Sequence, residues 1–338
     1  MESRARMPPV KIDAFSHVRP RAYAEVVERL VGSAAGMARF GGRAGSAQAR
    51  PGMAPLWDAN LRIKHLDDAG VDKQVITHTV PPIEQAATDP GVAAQLAIAS
   101  NNAVLDMASA HPDRFIPIGT VAMNDVEAAC REAERCLTQL GMKSILIYTN
   151  ANGRFLHDPA LEPFFAYMNR QDKPIWIHPY FNPSRPDPEL NIQGLNVAQV
   201  FGWPFDTVIA MTCLICGGVL DRFPNLRFIT HHAGAGIPFF DQRMATHPGQ
   251  APQLTRPMLD YYRSFYVDSA IQGSIGGMQA SYAFYGADHI LFGTDMPYAS
   301  ANGDGNARQC VASIDALGVP PAEKSRMFGG NLRRLIGA

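Results

Sequence analysis

Five polar residues in this 338-residue chain stand just past short apolar runs, and their types are those of metal and proton chemistry. His17 follows "KIDAFS", His178 closes "IWIH", the neighbours His231 and His232 end "ITHH", and Asp295 ends "LFGTD". A lone histidine is usually a satisfied structural residue, whereas several imidazoles at equivalent strand ends call for a shared purpose. Imidazole nitrogens with one carboxylate suit Zn²⁺ or another first-row divalent ion, with a position left open for water or substrate. The stretch "VKIDAFSHVRP" raises the sharpest question. Phe15 and His17 stand two apart and so share a strand face, and a histidine at 15 would complete a two-imidazole strand end. Phenylalanine brings no donor atom. Asp13 is the substitute by residue type, but it sits deeper along the strand and ranks second. The other arrangement with ligand spacing is Cys213 and Cys216 in "MTCLICGGVL". With no second such pair among the five cysteines, and Leu214 and Ile215 between them, it reads as two small residues of a buried helix.

Strand ends converge only if the strands run parallel, so the elements in between decide whether these residues meet. Apolar runs at 10–14, 73–79, 115–121, 143–149, 174–178, 226–231, 264–269 and 289–294 read as strands. Helical patterns separate them, such as "LWDANLRIKHLDDAGVD", stopped at Gly70, and "DVEAACREAERCLTQLG", with Asp125 as N-cap. Eight strands alternating with helices predict an α/β fold, a (β/α)8 TIM barrel forming a single domain over 10–338, behind a disordered-like N-terminus at 1–9. A doubly wound sheet would carry a Gly-rich phosphate turn after its first strand, and "DAFSH" has none. Two stretches break the repeat: 31–55, rich in Gly, Ala and Arg, and 180–205, rich in Pro and Asn. Both leave the C-terminal ends of strands, where barrels build active sites, and are expected as loop insertions over a pocket.

A hydrophobic content of 46% with 18% charged residues fits a soluble globular enzyme. The net charge of −1 gives no attraction to nucleic acid or to an anionic membrane surface. The odd cysteine count, with no secretion-like leader, argues against a disulfide framework and for a cytoplasmic protein.

Five segments, "KIDAFSH", "IWIHP", "ITHHAGAGIPFF", "ILFGTDMPY" and "MFGGNLRRLIG", resemble in order and spacing the signatures of the amidohydrolase superfamily. The similar branch is the one typified by aminocarboxymuconate semialdehyde decarboxylase and γ-resorcylate decarboxylase. The resemblance spans Lys11 to Gly337 and implies a (β/α)8 barrel with one divalent metal, Zn or Mn. It implies His17, His178 and Asp295 as metal ligands, with Asp295 and His232 as the catalytic acid/base residues. His231 is then expected to face the barrel's other side, because neighbouring strand residues alternate. Arg243 falls where branch members carry an arginine that binds the substrate carboxylate, sometimes across a dimer interface. The departure is Phe15, at the position of the branch's first strand-one ligand. Three ligands remain, and the loss should weaken metal binding.

The activity implied is non-oxidative decarboxylation of a small aromatic or unsaturated carboxylic acid. Phe15, Trp176, Tyr180, Trp203 and Tyr298 are the aromatic residues available to hold a flat substrate. Metal-dependent hydrolysis of a lactone, ester or amide is the alternative, with Asp295 as general base toward a bound water. A catalytically reduced ligand-binding homologue is the third reading. The expected partners are a small carboxylic acid and a second copy of the chain, a homodimer, with no nucleic acid and no membrane.

Overall fold

The computed structural model describes residues 9–32, 52–183, 191–192, 195–246, 254–298 and 300–337. The N-terminal expectation for 1–8, most of the 31–55 insertion and part of the 180–205 insertion lie outside the described residues.

The apolar runs pair side by side, and the backbone bonds can be followed all the way round. Stave one (Ile12–Asp13, resuming at His17–Val18) lies parallel to stave two (Lys73–His78), with Ile12 opposite Lys73 and His17 opposite Thr77. Stave three (Phe115–Pro117, then Gly119–Thr120) joins stave two and stave four (Ile145–Tyr148). Stave five (Ile175–His178) lies between stave four and stave six (Phe228–Thr230), and stave seven (Tyr266–Val267) follows. Val267 bridges to Ile290 in the run 289–294, which is stave eight. Stave eight returns to stave one: Ala14 N–H donates to Phe292 O at 2.7 Å, and His17 N–H donates to Met296 O at 2.8 Å. Eight staves with helices between them form the (β/α)8 barrel that the sequence pattern predicts.

The barrel is packed inside and out. Ile12, Ala14, Phe15, Val75, Ile118, Leu146, Trp176, Ile229 and Leu291 fill its interior. Leu332, Leu335 and Ile336 of the last helix, Asn331–Ile336, join the same cluster. Each such side chain taken from water contributes roughly 1.5–3 kcal/mol. A second, larger cluster lies between the staves and the outer helices. Asp58, Asp89, Asp125 and Ser274 cap helix N-termini by accepting a backbone N–H, which fixes where the helices begin.

The stretch Gln199–Cys216, with mean hydropathy 1.3, is long and apolar enough by composition to cross a membrane. Here it belongs to the barrel's outer layer, where Met211, Leu214 and Ile215 enter the core. Cys213 and Cys216 end its helix without forming a disulfide, and burial pushes the Cys213 thiol up to about 11. They are helix residues, as their apolar neighbours predict.

Candidate active site

The site begins with how staves eight and one are locked together. Asp13 is fully buried, and its Oδ1 accepts the backbone N–H of Phe15 and of Thr294, both at 3.1 Å. Its Oδ2 accepts Thr294 Oγ1 at 2.5 Å and Gln74 Nε2 at 2.6 Å. Those bonds occupy the carboxylate, so Asp13 ties the two strand ends together and is no ligand. Burial, opposed by these hydrogen bonds, raises its carboxyl to about 6. The buried Arg62 adds a second brace, donating to Gln74 Oε1 at 2.7 Å and to the carbonyl of His17.

Above that brace, His17, His178, His231 and Asp295 each offer one ligand atom, all within 4.8 Å of one another. His17 Nε2 lies 3.1 Å and His231 Nε2 3.2 Å from the same oxygen, Asp295 Oδ1. Both nitrogens are buried and lack a hydrogen-bond partner among the described residues. They approach the carboxylate without the alignment of a hydrogen bond, as donors around a shared cation would. The opposite edges of the rings are tied. His17 Nδ1 meets Thr77 Oγ1 at 3.1 Å, His178 Nδ1 meets the Pro179 carbonyl at 2.7 Å, and His231 Nδ1 meets Asp268 Oδ2. A carbonyl or carboxylate there selects the tautomer with a bare Nε2, and Thr77 does the same while its own hydroxyl donates to Ser16 O. Three bare nitrogens and a carboxylate oxygen are a donor set that fits a first-row divalent cation.

Burial alone would raise the Asp295 carboxyl, but the charge of His231 and the contacts of His17 and His231 hold it well below the usual carboxylate range. Burial lowers His17 despite Asp295, and burial with the neighbouring His17, His231 and His232 keeps His178 well below an ordinary imidazole. His231 is lowered by burial but raised more by Asp268 and Asp295, to about 10, so without a cation it carries a second proton, which a metal at Nε2 would displace. Asp295 and His232 also hold left-handed backbone, with φ of 63° and 62°, which costs an ordinary residue of order 1 kcal/mol or more.

Several expectations change here. His231, sent by strand alternation to the far face, lies in the cluster. Alternation should be counted from Ile229, which points into the barrel interior, so that His231 points inward too. His232 follows at a left-handed residue, where alternation no longer applies. It still borders the site: its Nε2 is 4.0 Å from Asp295 Oδ2, and its ring centroid is 4.1 Å from that of His231. Burial, then His231, lowers it to about 4. Phe15, expected to touch substrate, is fully buried, its ring packed among His17, His178 and His231. Trp176 is likewise core rather than pocket. It is fully buried two residues below His178, and its indole N–H donates to Ala14 O at 2.8 Å. Asp268 went unnoticed in the sequence, although it too stands just past an apolar run, in "FYVDSA".

Tyr180 and Tyr298 are partly exposed and reach the site's rim. Tyr298 lies 5.7 Å from His17 by ring centroids and shares a 2.5 Å hydrogen bond with Thr79 Oγ1. Tyr180, Phe181 and Trp203 form an aromatic wall, with Trp203 5.7 Å from His178. A cavity of about 350 Å³ beside Tyr180 is lined by Pro81, Gln85, Thr88 and Asn152, and the metal-type donors do not border it. Arg243 is exposed on the short helix Asp241–Thr246. Arg19, two residues past His17, donates to the carbonyl of Val80, next to Thr79.

The amidohydrolase family model matches residues 17–338. The chain is an amidohydrolase-family protein. Among this amidohydrolase's relatives is 2-amino-3-carboxymuconate-6-semialdehyde decarboxylase of Dictyostelium discoideum, 30% identical over 286 residues, 83% of this chain and 77% of that one. Gamma-resorcylate decarboxylase of a Rhizobium species is 25% identical over 291 residues, 82% of this chain and 86% of that one. A crystal structure of 5-carboxyvanillate decarboxylase from Novosphingobium aromaticivorans, complexed with manganese and 4-hydroxy-3-methoxy-5-nitrobenzoic acid, superposes with a TM-score of 0.84 at 25% identity. The match covers 98% of this chain and 96% of that one.

Proposed function

We propose that this amidohydrolase is a metal-dependent, non-oxidative decarboxylase of a small aromatic or unsaturated carboxylic acid. The observation that carries the reading is the convergence of three tautomer-fixed imidazoles and the Asp295 carboxylate at the strand ends of this barrel. The decarboxylase names of its relatives set the reaction class. A divalent ion, Zn or Mn, held by His17, His178 and Asp295 would supply Lewis acidity to the substrate's oxygens.

The chain's own residues do the rest. The aromatic wall of Tyr180 and Trp203 with Tyr298 opposite suits a flat acid lying over the donors. Asp295 is held ionised, and His232 stands 4.0 Å from it on the same rim. A proton that the acid yields to Asp295 as it binds, with His232 beside it, is returned to the carbon that bears the carboxylate. The bond to the carboxyl carbon then breaks, its electron pair returns to the substrate framework, and CO₂ leaves.

The substrate carboxylate needs a cation, and Arg243 is the residue we assign. Its helix is exposed beside Phe239 and Phe240, themselves 79% and 50% exposed. Phe201 and Phe205 add to the exposed apolar surface. Such a patch supports a homodimer in which the neighbouring copy buries these rings and shares Arg243. A cytoplasmic location, with no membrane or nucleic-acid partner, completes the proposal.

The test is metal content of the purified protein, followed by CO₂ release from a panel of hydroxybenzoates and unsaturated acids before and after chelation. Stoichiometric metal and chelation-sensitive CO₂ release are expected. Full activity without metal, or acid release from lactones without CO₂, overturns the proposal.

A further inference from the structure

We infer that His231 supplies the metal donor that stave one lacks at Phe15, and that Asp268 is the positioning residue that aims it. The inference rests on the metal-dependent reading above and adds a ligand to it.

Stave one offers one donor, His17, because the residue two places earlier is a phenylalanine. Its ring is not idle. It is fully buried and lies against the histidines at centroid separations of 4.0 Å from His231, 5.6 Å from His17 and 6.0 Å from His178. Phe15 therefore stands beside the donors, where a stave-one ligand would reach in, and gives the His231 ring an apolar face to rest on. The replacement donor comes from stave six. His231 Nε2 and His17 Nε2 reach the same oxygen of Asp295 at nearly equal range, and both are buried without a hydrogen-bond partner among the described residues. A buried nitrogen aimed at a carboxylate in that state calls for a cation or a water as its partner.

Asp268 makes the assignment specific to His231 rather than His232. Its Oδ1 is fixed by the backbone N–H groups of Ala270 at 3.0 Å and Ala233 at 3.3 Å, and its Oδ2 takes the His231 Nδ1 hydrogen. A carboxylate behind an imidazole orients metal-binding histidines and raises their basicity. His232 has no such support: its Nδ1 is buried without a partner among the described residues, and its Nε2 faces the other Asp295 oxygen at 4.0 Å. The resulting set is three nitrogens and one carboxylate oxygen, four donors again.

The experiment is Co²⁺ titration of the chelator-stripped protein, read by visible absorption and by competition with an indicator chelator. Wild-type protein should bind one equivalent. His231→Gln should weaken binding by at least about 10–100-fold and change the cobalt spectrum. Asp268→Asn should weaken it by about 10–100-fold, the cost of losing an outer partner. His232→Gln should stay within about twofold of wild type, since no donor is lost. The double variant Phe15→His/His231→Gln should recover affinity, because the donor returns to stave one. A folded His231→Gln protein with wild-type affinity and spectrum overturns the inference and leaves the metal-dependent reading standing. Wild-type protein that binds no cobalt overturns that reading itself. If His231→Gln fails to fold, Asp268→Asn decides, and wild-type affinity and spectrum in that variant sink the assignment.

Discussion

The ring of Phe15 lies 4.0 Å from that of His231, tilted by 36°, at the centre of the donor cluster. This contact joins a residue that cannot bind metal to one that can. An aromatic face at this separation contributes about 0.5–1.5 kcal/mol beyond simple burial, enough to favour one ring orientation. Phe15 therefore acts on the site by shaping it.

Asp295 is the residue on which both chemistry and donor geometry depend. Asp295→Asn keeps the shape of the side chain but removes the charge that faces His17, His231 and His232. The rate of CO₂ release should fall by about 10²–10⁴-fold, the range for loss of a positioned acid or base. Circular dichroism should show the fold unchanged. A variant that keeps the wild-type rate would remove Asp295 from the mechanism.

Trp176 separates core from pocket. Trp176→Phe deletes the indole N–H bonded to Ala14 O and leaves a void inside the barrel. Unfolding free energy should drop by about 1–3 kcal/mol. KM should stay within about twofold, since a side chain with no exposure contributes little to binding. A large KM change at unaltered stability would place Trp176 in the substrate site after all.

Glu84 gives the fold a pH dependence that the metal site does not explain. It is 1% exposed, its Oε2 has no hydrogen-bond partner among the described residues, and burial raises its carboxyl from 4.5 to about 7, against backbone hydrogen bonds that lower it. Between those values the folded state keeps a proton that the unfolded state has released, so stability falls as pH rises. The loss is complete above about pH 7 and amounts to about 3 kcal/mol. Glu84→Gln should remove this component. Urea melts of both proteins at pH 5 and pH 8 test it, and a wild-type-minus-variant difference that does not change with pH would refute the assignment.

How much of this was legible in the sequence follows from which interactions are local. The staves were, because each is a short apolar run bounded by helix caps such as Asp58, Asp89 and Asp125. His17, His178 and Asp295 were, because each sits one step past such a run. His231 was misplaced because the pair His231–His232 straddles the point where extended backbone ends, and the left-handed turn at His232 is invisible to a period-two count. Asp268 was overlooked because its meaning lies in a contact 37 residues away along the chain. The role of Phe15 was unreadable for the same reason: its ring partners come from staves five and six.

The exposed phenylalanines make the last prediction. Phe239 is 79% exposed and packs edge-on against Phe240 at 4.9 Å, four residues before Arg243. Two neighbouring rings left in water carry a cost that a second copy of the chain would relieve, at about 25 cal/mol per Å² of apolar surface covered. Phe239→Glu places a charge in that surface and should shift the protein from dimer to monomer in sedimentation or light scattering. If Arg243 serves the neighbour's pocket, KM for the acid should rise by about tenfold or more on dissociation, and Arg243→Gln should raise it similarly while leaving the dimer intact. If Phe239→Glu is monomeric with unchanged KM, then Arg243 is not shared. If wild-type protein is itself monomeric at micromolar concentration, the patch has another occupant, and the substrate carboxylate must be met within one copy, where Arg19 beside Val80 and Thr79 is a cation near the rim among the described residues.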